Sequence, residues 1–206
     1  MITRFRADTG LLLVDCQQGV DDLTHWGGSA GQRNNPEAEE RMLGVLAAWR
    51  ARELPAIFTL HDSRERNSPL KLSRPGGASK PGFEPHADEL VIKKRVNSAF
   101  VDTSLESELR RRRINRLVIA GFLTNMSIST TVRMANNLGF DTYLIHDACA
   151  ATNRRGLDGR NWDAQTVHDL SVATLHGEFC TALDHNEIRA LLDNDAPALM
   201  RVQGNE

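Results

Sequence analysis

Apolar residues in this chain fall into short unbroken runs separated by longer stretches of helical period. GLLLVD (10–15), AIFTLH (56–61), LVIKK (90–94), LVIAGF (117–122) and DTYLIH (141–146) are nearly continuous in apolar residues. Runs that do not alternate mark strands buried on both faces. FCTAL (179–183) is a shorter candidate for a sixth. Helical patterns lie between the runs. PEAEERMLGVLAAWRARE (36–53) opens with Pro36 behind Asn34 and Asn35, carries acids early and ends in Arg50 and Arg52, as caps and macrodipole favour. TSLESELRRRR (103–113) starts on a capping residue and ends on basic ones, while MSISTTVRMANNLG and WDAQTVHDLSVATLHG stop at Gly139 and Gly177. Strand and helix in alternation predict an α/β fold: a three-layer α/β/α Rossmann-like sandwich around a mainly parallel sheet of about six strands.

Two segments, Gln17 to Asn35 and Asp62 to Asp88, carry neither period. Loops of that length in a compact domain are usually binding loops or lids. With 206 residues and 40% hydrophobic composition, one domain over 1–206 is expected rather than two half-sized ones. A formal charge of −2 leaves no basic excess for a phosphate backbone, so no nucleic-acid partner is expected, and the run Arg110 to Arg113 reads as a solvated helix end. MITRFRADTG lacks an apolar signal core and no stretch approaches a membrane span, which predicts a cytoplasmic protein without membrane contact. Cys16, Cys149 and Cys180 are widely spaced without a CxxC pair, so neither a disulfide framework nor a zinc site is suggested.

In a doubly wound sheet, ligands bind beyond the carboxyl ends of the strands. Three polar residues stand there: Asp15 after LLLV, Lys94 after LVIK, and Ser127 after LVIAGFLTNM. Asp15 at an apolar boundary could be desolvated into a base, or could simply cap the following loop. Of Lys93 and Lys94, one should face the site and the other away. Ser127 in a first helical turn sits where N–H groups favour developing negative charge; equally, it could only help to start the helix.

These residues carry a resemblance. LLLVDCQ, then KRVNSAF with Lys94 four residues before Ser98, then GFLTNMSISTTVRMANNLGFDTYLIHDACA resemble, in order and from about Gly10 to Leu183, the isochorismatase-like cysteine hydrolases. The resemblance implies a Rossmann-like hydrolase of small amides, ureides and related carbon–nitrogen bonds, with an acid, lysine and cysteine triad. Carried over, Asp15 matches the acid, Lys94 the lysine, and Ser127 the nucleophilic cysteine. The resemblance further implies an oxyanion hole from the main-chain N–H groups of Leu123 and Ser127, a cis peptide at Phe122–Leu123, a homodimer or homotetramer, and no cofactor.

The serine is the departure. A thiol can be drawn to its thiolate near neutrality by a helix end and a lysine, whereas a hydroxyl keeps its proton until a base removes it during attack. Three accounts stand: a Cys-to-Ser replacement that slows or traps the reaction; a natural serine enzyme or a vinyl-ether hydrolase of the isochorismatase type that needs no nucleophile; or a silent binding protein. Cys16 is not a substitute, since adjacent side chains of an extended strand face opposite ways. Nicotinamidases of this family bind a metal after the second strand, but TLHDSRE (59–65) lacks their DxH, so no metal is expected and His61 reads as a pocket residue. The remaining candidates for substrate contact are Gln17, Trp26 and Arg33 in the first long segment, with Phe100 and Trp162 as further walls.

Overall fold

The computed structural model describes residues 4–193; positions 1–3 and 194–206 of the expected domain lie outside the described residues. Its strands are β1 (Thr9–Val14), β2 (Ala56–His61), β3 (Leu90–Lys94), β4 (Arg116–Phe122), β5 (Asp141–Ala150), β6 (Arg154–Arg155), β7 (Asn161–Trp162) and β8 (Thr181–Leu183). The helices are α1 (Leu23–Gly27), α2 (Ala38–Arg50), α3 (Leu105–Arg111), α4 (Ser129–Asn137), α5 (Ala164–Leu175) and α6 (His185–Asp193). Six strands form one sheet in the order β3-β2-β1-β4-β5-β8, all pairs parallel, and β6 and β7 make a separate antiparallel hairpin.

The apolar runs form the central strands because both of their faces are covered. Every residue of β1 is buried, and so is all of β4 after Arg116. Met42, Val45, Leu46 and Trp49 of α2 recur at helical spacing and are buried; α2 packs with α6 and β5, while α4 packs with α5 and β5, giving the two helical layers. Each fully buried Leu or Val of this kind contributes about 1.5–3 kcal/mol relative to exposure.

The chain departs from the expected pattern in several places. β3 is not buried on both faces as its apolar run suggests: it lies at the sheet edge, and Val91 and Lys93 are exposed. α2 is shorter than 36–53, because Asn35 has φ 44° and Pro36 and Glu37 form a turn before the first helical residue. β5 runs four residues past His146, and the shift of register between Ile119 and Gly121 lets it continue beside β4. The first long segment holds α1 and two 3-10 turns at Gln18–Asp21 and Gly28–Ala30. α6 follows β8, with Ile188, Leu191 and Leu192 buried.

Strand order turns between β1 and β4: the chain steps from β1 to β2 and β3 on one side, then from β4 to β5 and β8 on the other. Here Val14 is paired with Gly121, whose φ is 129° and where a Cβ would lie 2.1 Å from Val14 O. Glycine is required there, because no side chain fits between two strands whose next residues open into the site.

Candidate active site

Asp15 is the first residue beyond β1 and adopts φ 55°, a left-handed conformation that Asp tolerates better than most residues. Thr59 of β2 holds it on both sides: Asp15 N–H donates to Thr59 Oγ1 at 3.1 Å, and Thr59 Oγ1 donates to Asp15 Oδ1 at 2.7 Å. Lys94, the last residue of β3, is fully buried. Its Nζ lies 2.6 Å from Asp15 Oδ2, 3.0 Å from His61 Nδ1, and 3.1 Å each from Ser127 Oγ, Val96 O and Asn97 O. An ammonium has three N–H groups, so these neighbours share it, and Lys94 bridges the acid to the hydroxyl. Lys93 is exposed, so the choice between the two lysines falls to Lys94.

Ser127 is buried in a single π-type turn, Thr124–Ile128, between β4 and α4; such turns occur frequently at functional sites. Met126 and Ile128 both donate their main-chain N–H to Leu123 O, and the Phe122–Leu123 peptide is cis. Behind the turn, His168 of α5 is buried with Nδ1 2.9 Å from Thr124 Oγ1.

Burial alone would push the Asp15 carboxyl up, but the Lys94 ammonium and His61 beside it outweigh burial and hold it below its usual range. The raised basicity considered for Asp15 therefore does not occur: the resting site holds an ion pair. Burial pushes the Cys16 thiol well up, and its Sγ packs 3.8 Å from Met42 Sδ, away from the site.

Asp15, His61, Leu123, Ser127 and Trp26 line a cleft of about 640 Å³. Four other expected contacts do not. Gln17 is fully buried and is spent on main chain, accepting from His61 N and donating to His61 O and Gly77 O. Arg33 makes a two-point pair with Glu39 at 2.7 and 2.9 Å and lies over the Phe122 ring. Phe100 stacks on Phe140 at 5.8 Å, and Trp162 sits half-exposed on the β6–β7 hairpin beneath Arg160. Conversely, the cleft includes Asn97, whose Oδ1 is 3.5 Å from Ser127 Oγ, and Arg64, Arg95 and Arg154 at its mouth. Thr59 was visible in the sequence only as a hydroxyl interrupting an apolar strand, and Asn97 as one residue of KRVNSAF. Among the described residues, no group of three or more His, Cys, Asp or Glu side chains is arranged to hold a metal ion, and no helix is long and apolar enough to cross a membrane.

A parallel sheet whose order turns at a paired acid and ammonium, with a hydroxyl at the next strand end, defines an α/β/α hydrolase domain. The chain belongs to the isochorismatase family: the family profile described as "Isochorismatase domain" matches residues 9–187. It is 41% identical over 178 residues, 86% of this chain and 92% of the relative, to the "Uncharacterized isochorismatase family protein YrdC" of Bacillus subtilis. The crystal structure of a putative isochorismatase-family hydrolase from Chromobacterium violaceum superposes with a TM-score of 0.84 at 46% identity, covering 91% of this chain and 96% of that one. A shorter match, 36% identity over 67 residues, links 32% of this chain to 27% of the ureidoacrylate amidohydrolase RutB of Acinetobacter baylyi.

Proposed function

We propose that the protein hydrolyses a carbon–nitrogen bond of a small amide, ureide or carbamoyl compound through a covalent acyl-enzyme, with Asp15, Lys94 and Ser127 as the reacting groups. The observation that carries this reading is the position of Lys94 Nζ, 2.6 Å from Asp15 and 3.1 Å from Ser127 Oγ. The name of the RutB relative, an amidohydrolase, supports the bond type.

In this mechanism Ser127 Oγ forms a bond to the substrate carbonyl carbon while its proton passes to the Asp15 carboxylate. The carbonyl electrons move onto oxygen, which the N–H groups of Leu123 and Ser127 stabilise; a donor of this kind is typically worth about 3 kcal/mol. Collapse breaks the carbon–nitrogen bond, and the Asp15 proton goes to the departing nitrogen. Water then attacks the acyl ester, giving its proton to Asp15, and the hydroxyl is restored as the acid product leaves. Lys94 balances the acid's charge throughout. The reaction needs no cofactor, and we place it in the cytoplasm in a homodimer or homotetramer, for which sedimentation as a monomer is the contrary result.

Because Asp15 is held below its ordinary basicity, the hydroxyl gains little activation before attack, and the chain with Ser127 is expected to be slow. Ser127→Cys should raise kcat/KM for amide cleavage, followed as ammonia release, on the order of 100-fold. No gain with any member of an amide panel would defeat the covalent reading. The hydroxyl at this position also favours a second reading, a vinyl-ether hydrolase in which Asp15 protonates the substrate; its signature is pyruvate release indifferent to Ser127→Ala.

A further inference from the structure

The chain as a whole is slightly acidic, at −2, yet the cleft is not. Asp15 is neutralised within the site by Lys94, and what remains at the mouth is Arg64, Arg95 and Arg154 against the single carboxylate of Glu65. Two of these arginines are already engaged. Arg64 lies 3.3 Å from Asp102, both side chains being well exposed, and Arg154 donates from Nη1 to Trp26 O at 3.1 Å. The Arg95 side chain has no hydrogen bond or ion pair among the described residues.

Arg95 is thus the one of the three with its guanidinium uncommitted. It lines the same cleft as Ser127, so a molecule whose carbonyl rests at Ser127 shares that cleft with Arg95. A planar guanidinium with free N–H groups matches a carboxylate in two-point geometry. Glu65 opposes anything larger in charge, and a volume of about 640 Å³ suits a small ligand.

We propose that the cleft selects substrates carrying a carboxylate a few atoms from the bond to be cleaved, and that Arg95 is the residue that reads this charge. The inference rests on the cleft being the reaction site proposed above and narrows its substrate class to half-amides and similar acids.

The test pairs each acid with an uncharged shape-mate that has one scissile amide: succinamate with 4-oxopentanamide, and glutaramate with 5-oxohexanamide. Affinity is measured by titration calorimetry on the unmodified chain, and kcat/KM on the Ser127→Cys form. At least one acid should bind about tenfold or more tightly than its neutral partner, with the advantage shrinking as NaCl is raised. Arg95→Gln should reduce that ratio to about threefold or less, whereas Lys93→Gln, which removes an exposed charge outside the cleft, should leave it. Equal or tighter binding of the neutral partners, no binding by either acid, or a ratio that survives Arg95→Gln overturns the inference. If Ser127→Cys cleaves both classes without preference, the inference falls and the hydrolase reading stands. If nothing is cleaved but the acids bind preferentially through Arg95, the hydrolase reading falls and the anion site stands.

Discussion

Asp15 and Lys94 are a charge pair withdrawn from water, at 1% and 0% exposure, and that decides what each can tolerate. Removing one partner of such a pair leaves an uncompensated buried charge, at a cost of roughly 3–5 kcal/mol, whereas removing both can be close to neutral. Lys94→Met should therefore lower the urea midpoint sharply, and Asp15→Asn with Lys94→Met should recover much of the loss; a double variant less stable than Lys94→Met would contradict the pairing. The carboxyl's depressed pKa makes its share of stability fully present above the ordinary aspartate range and lost as pH falls through the lower folded value. At this scale the sequence is informative only where position along a strand settles a residue's surroundings. Asp15, Lys94 and Ser127 could be read because strand ends are legible and ligand sites follow them. Arg33 could not: a guanidinium in a Gly-rich loop announces a charge but not its partner, and Glu39 lies in the first turn of the next helix, at a spacing that no pairing rule covers. Gln17 went astray for the same reason, since its amide partners are main-chain groups 44 and 60 residues away.

The element that delivers Ser127 is the join of β4 to α4, and it is supported from behind by α5. Gly121 lets β4 close on β1, the π-type turn lifts Ser127 out of the strand, and His168 braces Thr124 at the start of that turn. Burial lowers the His168 pKa to about 4 despite the nearby carboxylates Asp169 and Asp147, with His146 adding to the depression. The folded state thus holds a neutral ring, while the unfolded chain takes up a proton below about pH 6.5. Unfolding then binds protons, so stability falls as pH drops from about 6.5 to about 4, by on the order of 3 kcal/mol in all, and levels off below. His168→Gln keeps a side chain able to bond Thr124 but cannot titrate. Urea midpoints measured across that window should slope for the natural chain and be flatter by this amount for the variant; parallel curves would remove His168 as the cause. Within WDAQTVHDLSVATLHG nothing local sets His168 apart, because its partner depends on how α5 docks.

Across the whole molecule, sheet and lid are legible to different degrees for a physical reason. β2 and β3 match their apolar runs to the residue; burial forces a nearly unbroken apolar run on β2, whereas β3, at the sheet edge, leaves Val91 and Lys93 exposed. The lid follows no such period, because its order comes from side chains reaching across to another segment. Asn34 exchanges hydrogen bonds with Ala151, its Oδ1 accepting from Ala151 N at 2.7 Å while its N–H donates to Ala151 O at 3.2 Å. Asn153, 2% exposed, accepts from Gln32 N at 2.7 Å and donates to Gly27 O and Asn161 Oδ1, both at 2.9 Å. Residues 27–34 are thereby tied to the segment leaving β5, and Trp26, whose indole donates to Gly19 O at 2.8 Å, is held over the cleft. If this tie sets the lid, Asn153→Ala should loosen it without touching the reacting groups. Hydrogen exchange in residues 23–33 should quicken by at least about tenfold, since lost hydrogen bonds of about 1 kcal/mol each convert directly into more frequent opening. KM should rise more than kcat falls. Unchanged exchange in the lid together with an unchanged KM would mean that Trp26 is held by its bond to Gly19 alone, and that residues 27–34 and the segment leaving β5 meet without depending on each other.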